Sequence, residues 1–169
     1  MHTLTNNRPF FSIIIPCYNS GKTIARALDS IVNQKLDYND IQVVLADDCS
    51  TESYQDIVDT YKDKLFITQC KTEYNKCPGN TRQCGADHAI GEWITFMDHD
   101  DFLIEGSYKI LKDHLPIIEN QTVVLTGFLK KLADDSYVEM PINAGWTHGK
   151  FFNLDNFWKK YNLHYIKDM

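Results

Sequence analysis

The sequence lacks the local signatures that announce most ligand sites. It has no G-x-x-x-x-G-K-[ST] loop and no G-x-G-x-x-G turn, so no glycine-rich cradle for phosphate is written into it. It has no G-x-S-x-G elbow of the serine hydrolases. Its histidines form no H-E-x-x-H pair, and His88, His114 and His164 read as packing or surface residues. The cysteines, Cys17, Cys49, Cys70, Cys77 and Cys84, form no C-x-x-C pair, which argues against zinc. Their odd number and scatter fit a reduced, cytoplasmic setting, and the even spacing of the last three reads as coincidence. No apolar run reaches the roughly 18 residues of a membrane helix, and the opening MHTLTNNRPF is too polar for a signal peptide. Positive charge is also short. With 17 Lys and Arg against 23 Asp and Glu, the formal charge is −6, the wrong sign for a surface that grips nucleic acid. A small anion carried with a metal ion is compatible with that balance.

What is present is an alternation of buried strands and amphipathic helices in a chain whose 169 residues predict one domain, residues 1–169. FSIII (Phe11–Ile15) reads as a strand covered on both faces and ended by Pro16. Ile24, Leu28 and Ile31 then recur at helical spacing, with Asn19 or Ser20 as cap. IQVVLA (Ile41–Ala46) is a second buried strand, Tyr54, Ile57, Val58 and Tyr61 mark a second helix, and LFITQ (Leu65–Gln69) a third strand. After a loop with Pro78 and Gly79, a small-residue helix is expected from Asn80 to Ile90, stopped by Gly91. EWITFM is a fourth strand, and Ile110, Leu111, His114, Leu115 and Ile118 continue as a helix. TVVLTGFL and SYVEM are further strands. This order predicts an α/β fold: a mostly parallel central sheet with helices on both faces.

Ligands of such sheets bind at the carboxyl ends of the strands. There PCYNS, DDCS and DHDD follow the first, second and fourth strands, and all three open on one edge. In WITFMDHDDFL an apolar run stops on Asp98, Asp100 and Asp101, carboxylates that are costly beside such a run unless something positive meets them. On a strand end, Asp98 and Asp100 point to the same side. Two oxygen ligands suit a hard cation, Mg²⁺ or Mn²⁺, with the remaining positions left to water and phosphate. His99 points the other way, and Asp101 is available to loop hydrogen bonds. A solvated acidic turn, or capping of the next helix, explains the same letters. Asp47 and Asp48 can accept from ribose hydroxyls or a base N–H; alternatively Asp48 or Ser50 caps the following helix. Tyr18 stacks on a base ring or packs in a buried turn. Arg82 binds phosphate, neutralises an aspartate near the base site, or makes a surface ion pair. Cys84, Gly85, Ala86 and Ala89 read as close helix–sheet packing.

The ordered set SIIIPCYNSGKTIARALDSIVNQ, VVLADDCST and GNTRQCGADHAIGEWITFMDHDD resembles the N-terminal half of family 2 glycosyltransferases, of the GT-A (Rossmann-like) fold, over roughly Phe11 to Leu115. Its motifs occur in the family's order and spacing, and Asp98-x-Asp100 looks like the family's D-x-D pair. HGKFFNLDNFWKKYNLHYI resembles a later family segment, with Leu154, Phe157, Trp158 and Tyr161 at helical spacing. The resemblance implies transfer of a sugar from a nucleotide-diphospho-sugar, usually a UDP-sugar, to a hydroxyl of a saccharide or lipid-linked acceptor, with inversion and a divalent cation. It implies that Pro16 and Tyr18 line the base site, Asp48 bonds the base, and Asp47 supports that loop or the ribose. It further implies that Arg82 sits beside the base-binding aspartate, Asp98 faces ribose and metal, and Asp100 holds the metal on the diphosphate. Two positions depart from the pattern: Gln83 stands where the family often has Asn, and Cys49 where Gly is common.

An inverting transferase also needs a carboxylate base for the acceptor hydroxyl. In the family that acid follows the tail segment, so the chain is expected to stop short of it at Met169 and to be cut from a longer one. Asp168 lies too close to the tail and Asp155 reads as an exposed helix residue, so no catalytic residue is assigned. Two rival readings use the same acids: an inactive nucleotide-sugar-binding module, and a metal-dependent phosphohydrolase or nucleotidyltransferase. The expected location is the cytoplasm, at the inner face of a membrane if a further C-terminal region anchors it there.

Overall fold

A strand with scarcely a polar residue must be covered on both faces, and the two most apolar runs of this chain become partners. The computed structural model of the protein describes residues 8–74, 77–115, 122–123, 128–132, 134, 136–140 and 152–153. The chain divides into two compact units, Met1–Leu115 and Pro116–Met169. In the first, β1 (Phe11–Cys17), β2 (Ile41–Asp47), β3 (Phe66–Lys71) and β4 (Trp93–Phe96) form a parallel sheet in the order β3-β2-β1-β4. β1 and β2 run in register from Phe11↔Ile41 to Cys17↔Asp47. Ile13, Ile14 and Ile15, with Val43, Val44 and Leu45, are fully buried and form the centre of the core.

Helices cover both faces. α1 (Ile24–Val32) buries Ile24, Ala27, Leu28 and Ile31, and α2 (Gln55–Asp59) buries Val58. α3 (Pro78–Ala86) lies so close to the sheet that a Cβ on Gly85 would stand 2.4 Å from Ile14 Cγ2 and 3.4 Å from Ala46 Cβ. Cys17, which alternation sends to the opposite face, sits instead beside Ser20 and Tyr54, where the α1 and α2 segments begin. α4 (Ser107–His114) buries Tyr108.

Several boundaries differ from the sequence expectation for identifiable reasons. β1 continues through Pro16 to Cys17. Met97 N donates to Ile14 O, which turns the backbone of alternate β1 residues toward β4. Pro16 is the next such residue, and β4 has already ended at Phe96, so its missing N–H deprives no ladder. α3 begins at Pro78, where a proline N–H is not needed, and ends at Ala86 rather than Ile90. Gly91 is therefore no helix stop. A Cβ there would lie 2.5 Å from Ser12 N, so its smallness serves backbone contact with β1.

The stretch released from the helix satisfies two buried polar side chains. Gln42 Oε1 accepts from Ile90 N (2.9 Å) and Ser12 Oγ (2.6 Å), Gln42 Nε2 donates to His88 O, and Gly91 N donates to Ser12 Oγ. α2 ends before Tyr61, whose buried ring nonetheless packs inward while its hydroxyl donates to Asp29.

In the second unit, β5 (Thr122–Val123) pairs antiparallel with β8 (Phe152–Asn153), and β6 (Phe128–Lys131) with β7 (Tyr137–Met140). The strand expected over TVVLTGFL is described only at its two ends. Ile118 and the tail helix of Leu154, Phe157, Trp158 and Tyr161 lie outside the described residues.

Candidate functional site

The sheet order makes β2, β1 and β4 consecutive, so the loops carrying DDCS, PCYNS and DHDD leave adjacent strand ends on one rim. The first two are bolted together. Asp48 N donates to Cys17 O at 2.8 Å, and Asn19 N donates to Ser50 Oγ at 3.0 Å. Asn19 Oδ1 accepts from Thr51 N (2.9 Å) and Glu52 N (3.2 Å). Asn19 thus clamps the neighbouring loop and does not cap α1, whose N-cap is Thr23; Ser20 opens a short 3-10 turn. Both Asn19 (φ 48°) and Cys49 (φ 59°) hold the left-handed conformation. Asparagine adopts it readily. Cys49 bears it without a glycine's freedom, its thiol held by Thr72 O at 3.2 Å.

Asp47 and Asp48 have different attachments. Asp47 Oδ2 accepts from Ser50 N at 3.1 Å, and Lys71 Nζ lies 3.4 Å away. Its Oδ1 accepts from the Tyr54 hydroxyl, which burial, then the neighbouring Cys17 and Asp47, push far above its usual pKa. Asp48 is buried, its Oδ1 held by Thr72 Oγ1 at 2.9 Å. Neither Asp48 nor Ser50 caps α2, whose N-cap is Tyr54. Tyr18 is 47% exposed, which removes the buried-turn reading and leaves its ring open to a ligand. Pro16, half-buried, precedes it.

The acids after β4 stand in a turn, not on a strand end. β4 stops at Phe96, and Asp101 N closes onto Asp98 O at 3.0 Å. The alternation argument for Asp98 and Asp100 therefore does not hold; the turn keeps both side chains exposed by its own geometry. The positive partner is Arg82, whose Nη2 lies 2.5 Å from Asp98 Oδ1. Arg82 thus sits on Asp98, and among the described residues no hydrogen bond or ion pair joins it to Asp48. Asp101 is raised above the ordinary carboxylate range, by burial first and then by the charges of Asp100 and Asp98. Among the described residues no hydrogen bond or ion pair engages the Asp100 carboxylate. Two exposed carboxylates in one turn, Asp98 and Asp100, could hold a hard divalent cation.

Sequence reasoning missed what holds this turn in place: a row of polar side chains on α1 and its extension. Thr23 Oγ1 meets His99 Nδ1 at 2.8 Å, Arg26 Nη2 donates to Asp100 O, and Leu103 N donates to Ser30 Oγ at 2.9 Å. Gln34, buried, donates to Ile104 O and accepts from Tyr108 N, both at 3.0 Å. The Arg26 guanidinium also covers the Phe102 ring. Residues three or four apart share a helix face, so Thr23, Arg26 or Ala27, Ser30 and Gln34 were a readable stripe. Its partner was not readable.

Residues 12–169 match the family described as Glycosyl transferase family 2. The chain belongs to that family. Its parallel sheet with flanking helices is the GT-A fold of such enzymes. Among family members, the poly(ribitol-phosphate) beta-N-acetylglucosaminyltransferase TarS of Staphylococcus aureus is 37% identical over 100 residues, 59% of this chain and 18% of that protein. A poly(ribitol-phosphate) beta-glucosyltransferase of Bacillus spizizenii is 38% identical over 121 residues, 70% of this chain and 19% of that protein. The crystal structure of S. aureus TarS 1-349 in complex with UDP-GlcNAc superposes with a TM-score of 0.56 at 37% identity, covering 63% of this chain and 30% of that one. The chain thus spans about a fifth of the length of these curated relatives.

Proposed function

We propose that this family 2 member binds a nucleotide-diphospho-sugar, with uridine as the base, for transfer to an acceptor hydroxyl on a saccharide or lipid-linked carrier in the cytoplasm. The observation that carries the reading is the exposed acidic turn at the sheet rim, beside loops that present an open aromatic ring and a fixed buried carboxylate. The Tyr18 ring stacks on the base, with Pro16 beneath it. Asp48, oriented by Thr72, accepts from the base N–H, and Asp47 supports the loop and the ribose. Asp98 and Asp100 hold Mn²⁺ or Mg²⁺. When bound, that ion stabilises the negative charge left on the nucleoside diphosphate. Arg82 keeps Asp98 oriented and offers its remaining N–H groups to phosphate. Transfer with inversion is the expected stereochemistry. The TarS complex with UDP-GlcNAc supports a uridine donor for a chain of this similarity.

Calorimetry with UDP, GDP and CDP, each with and without Mn²⁺, tests this. UDP should bind, and Mn²⁺ should tighten it. Asp100→Ala should abolish the Mn²⁺ enhancement while circular dichroism stays native. An undiminished Mn²⁺ effect in that variant removes Asp100 from the site, and preference for another base overturns the uridine assignment.

A further inference from the structure

Three residues that the sequence analysis set aside separately come together away from the acidic turn. Cys70 is on β3, while Cys84 and His88 belong to α3 and the turn that follows it. One ligand atom from each lies within 4.8 Å of the others. The fold explains the convergence. Cys70 pairs with Ala46, and Ala46 is, after Ile14, the residue that a Cβ on Gly85 would meet, so Cys70 faces α3. Cys84 and His88 are one helical turn apart, on the same side. His88 Nδ1 lies 2.8 Å from Cys84 O. A carbonyl can only accept, so Nδ1 carries the proton and the ring's lone pair is at Nε2, the tautomer in which an imidazole ligates with a backbone carbonyl as its outer partner.

We propose that Cys70, Cys84 and His88 form a site for a thiophilic divalent cation, Zn²⁺ being the type, which ties the edge strand β3 to α3. Two sulfurs and one imidazole nitrogen suit zinc, with water in the fourth position. The oxygen set at Asp98 and Asp100 suits Mn²⁺ or Mg²⁺ instead, so the two sites select different ions. Ligands about 2.3 Å from one ion stand roughly 3.8 Å apart in a tetrahedron, so small side-chain rotations bring the three atoms to a common centre. The cysteines are partly buried and His88 is exposed, which leaves the centre open to solvent. On binding, each thiol gives its proton to solvent as its sulfur–metal bond forms, and no electron is exchanged. The position has a consequence for the rim. Cys70 is followed by Lys71 and Thr72, which reach Asp47 and Asp48, and Thr72 N donates to Asp47 O at 2.9 Å. A cation on Cys70 immobilises the strand end that supports both acids.

The test titrates the full chain, freed of metal and kept reduced with a phosphine, with Co²⁺ as an optical probe and then with Zn²⁺. A near-ultraviolet sulfur-to-cobalt band with intense tetrahedral visible bands should saturate at one ion per chain and disappear on adding Zn²⁺. Cys70→Ser and Cys84→Ser should each reduce that band, and Cys77→Ser should leave it whole. His88→Ala, at an exposed position that folding does not need, should weaken Zn²⁺ by more than the roughly 10–100-fold lost with an outer-shell partner. Asp100→Ala should keep the band, which separates this site from the donor site. Zn²⁺ should also slow hydrogen exchange at the Thr72 amide. Absence of a sulfur-to-cobalt band at saturating Co²⁺, or its full survival in both the Cys70 and Cys84 variants, overturns the proposal. An unchanged Thr72 exchange rate overturns its link to the rim.

Discussion

Replacing Gln34 by leucine keeps most of the side-chain volume and removes every polar contact it makes. Gln34 is 1% exposed and bridges α1 to the segment that carries the acidic turn. Its Oε1 accepts from Tyr108 N at 3.0 Å and from Ser107 Oγ at 3.3 Å. Tyr108 N is one of the orphan amides in the first turn of α4, whose own N-cap, Gly106, has no side chain to offer. Gln34 therefore caps α4 from the turn that follows α1. Loss of a cap costs about 1 kcal/mol. Leaving Ile104 O without its Nε2 donor costs about 1 kcal/mol more, and the stranded buried amide adds a fraction of that.

The expected loss is about 2–3 kcal/mol, a fall of roughly 1–2 M in the urea midpoint for a domain of this size. The Tyr108 amide should lose hydrogen-exchange protection before the β1 and β2 amides do. Mn²⁺-dependent UDP binding should weaken with it, because the turn of Asp98 to Asp101 is held by the same row of α1 side chains. A stability within about 0.5 kcal/mol of the parent, or an unchanged Tyr108 exchange rate, would refute the capping argument.

Cys49→Val should destabilise by about 1–2 kcal/mol, because a β-branched residue is poorly accommodated at φ 59°. Cys49→Gly should stay within about 1 kcal/mol of the parent, since relief of strain offsets the added freedom of the unfolded chain; equal urea midpoints for the two variants would contradict this. Arg82→Gln should change stability by less than about 1 kcal/mol, the ion pair being partly exposed. It should also let Mn²⁺ alone bind more tightly as the guanidinium charge leaves Asp98, read by magnetic resonance of the free ion, and weaker Mn²⁺ binding would show that orienting Asp98 outweighs that competition and refute the expectation. Asp101, raised by burial and then by Asp100 and Asp98, holds its proton to higher pH in the folded than in the unfolded chain. Its contribution to stability therefore falls as pH rises through the interval between those two pKa values. Asp101→Asn should gain on the parent across that interval in a urea series, and a gain in the opposite sense would refute it.

How much of this was legible in the sequence depended on the range of the interaction. FSIII and IQVVLA demand burial residue by residue, so β1 and β2 were visible at once, and parallel strands then placed DDCS, PCYNS and DHDD on one edge. The rim followed from local pattern plus one topological rule. The details of the acidic turn did not. Alternation was extended past Phe96 to Asp98 and Asp100, but β4 leaves β1 after Phe96, opposite Ile14, and the next β1 residue that faces it is Pro16, which has no N–H to offer. The helix of Pro78 to Ala86 was placed too late and too long, because the demand that released residues 88–91 came from Ser12 and Gln42, far back in the chain.

Burial is a sum over individual side chains, and a sequence of this kind determines it: which runs enter the core, hence the sheet, the rim and the family. Partnership between polar groups is a property of two distant segments at once, each contact contributing only about 1 kcal/mol. Local pattern therefore cannot choose among the many partners available. Arg82 on Asp98, Gln34 on Tyr108, and Cys70 beside Cys84 and His88 were decided only when β3, α1 and α3 took their places in the tertiary structure.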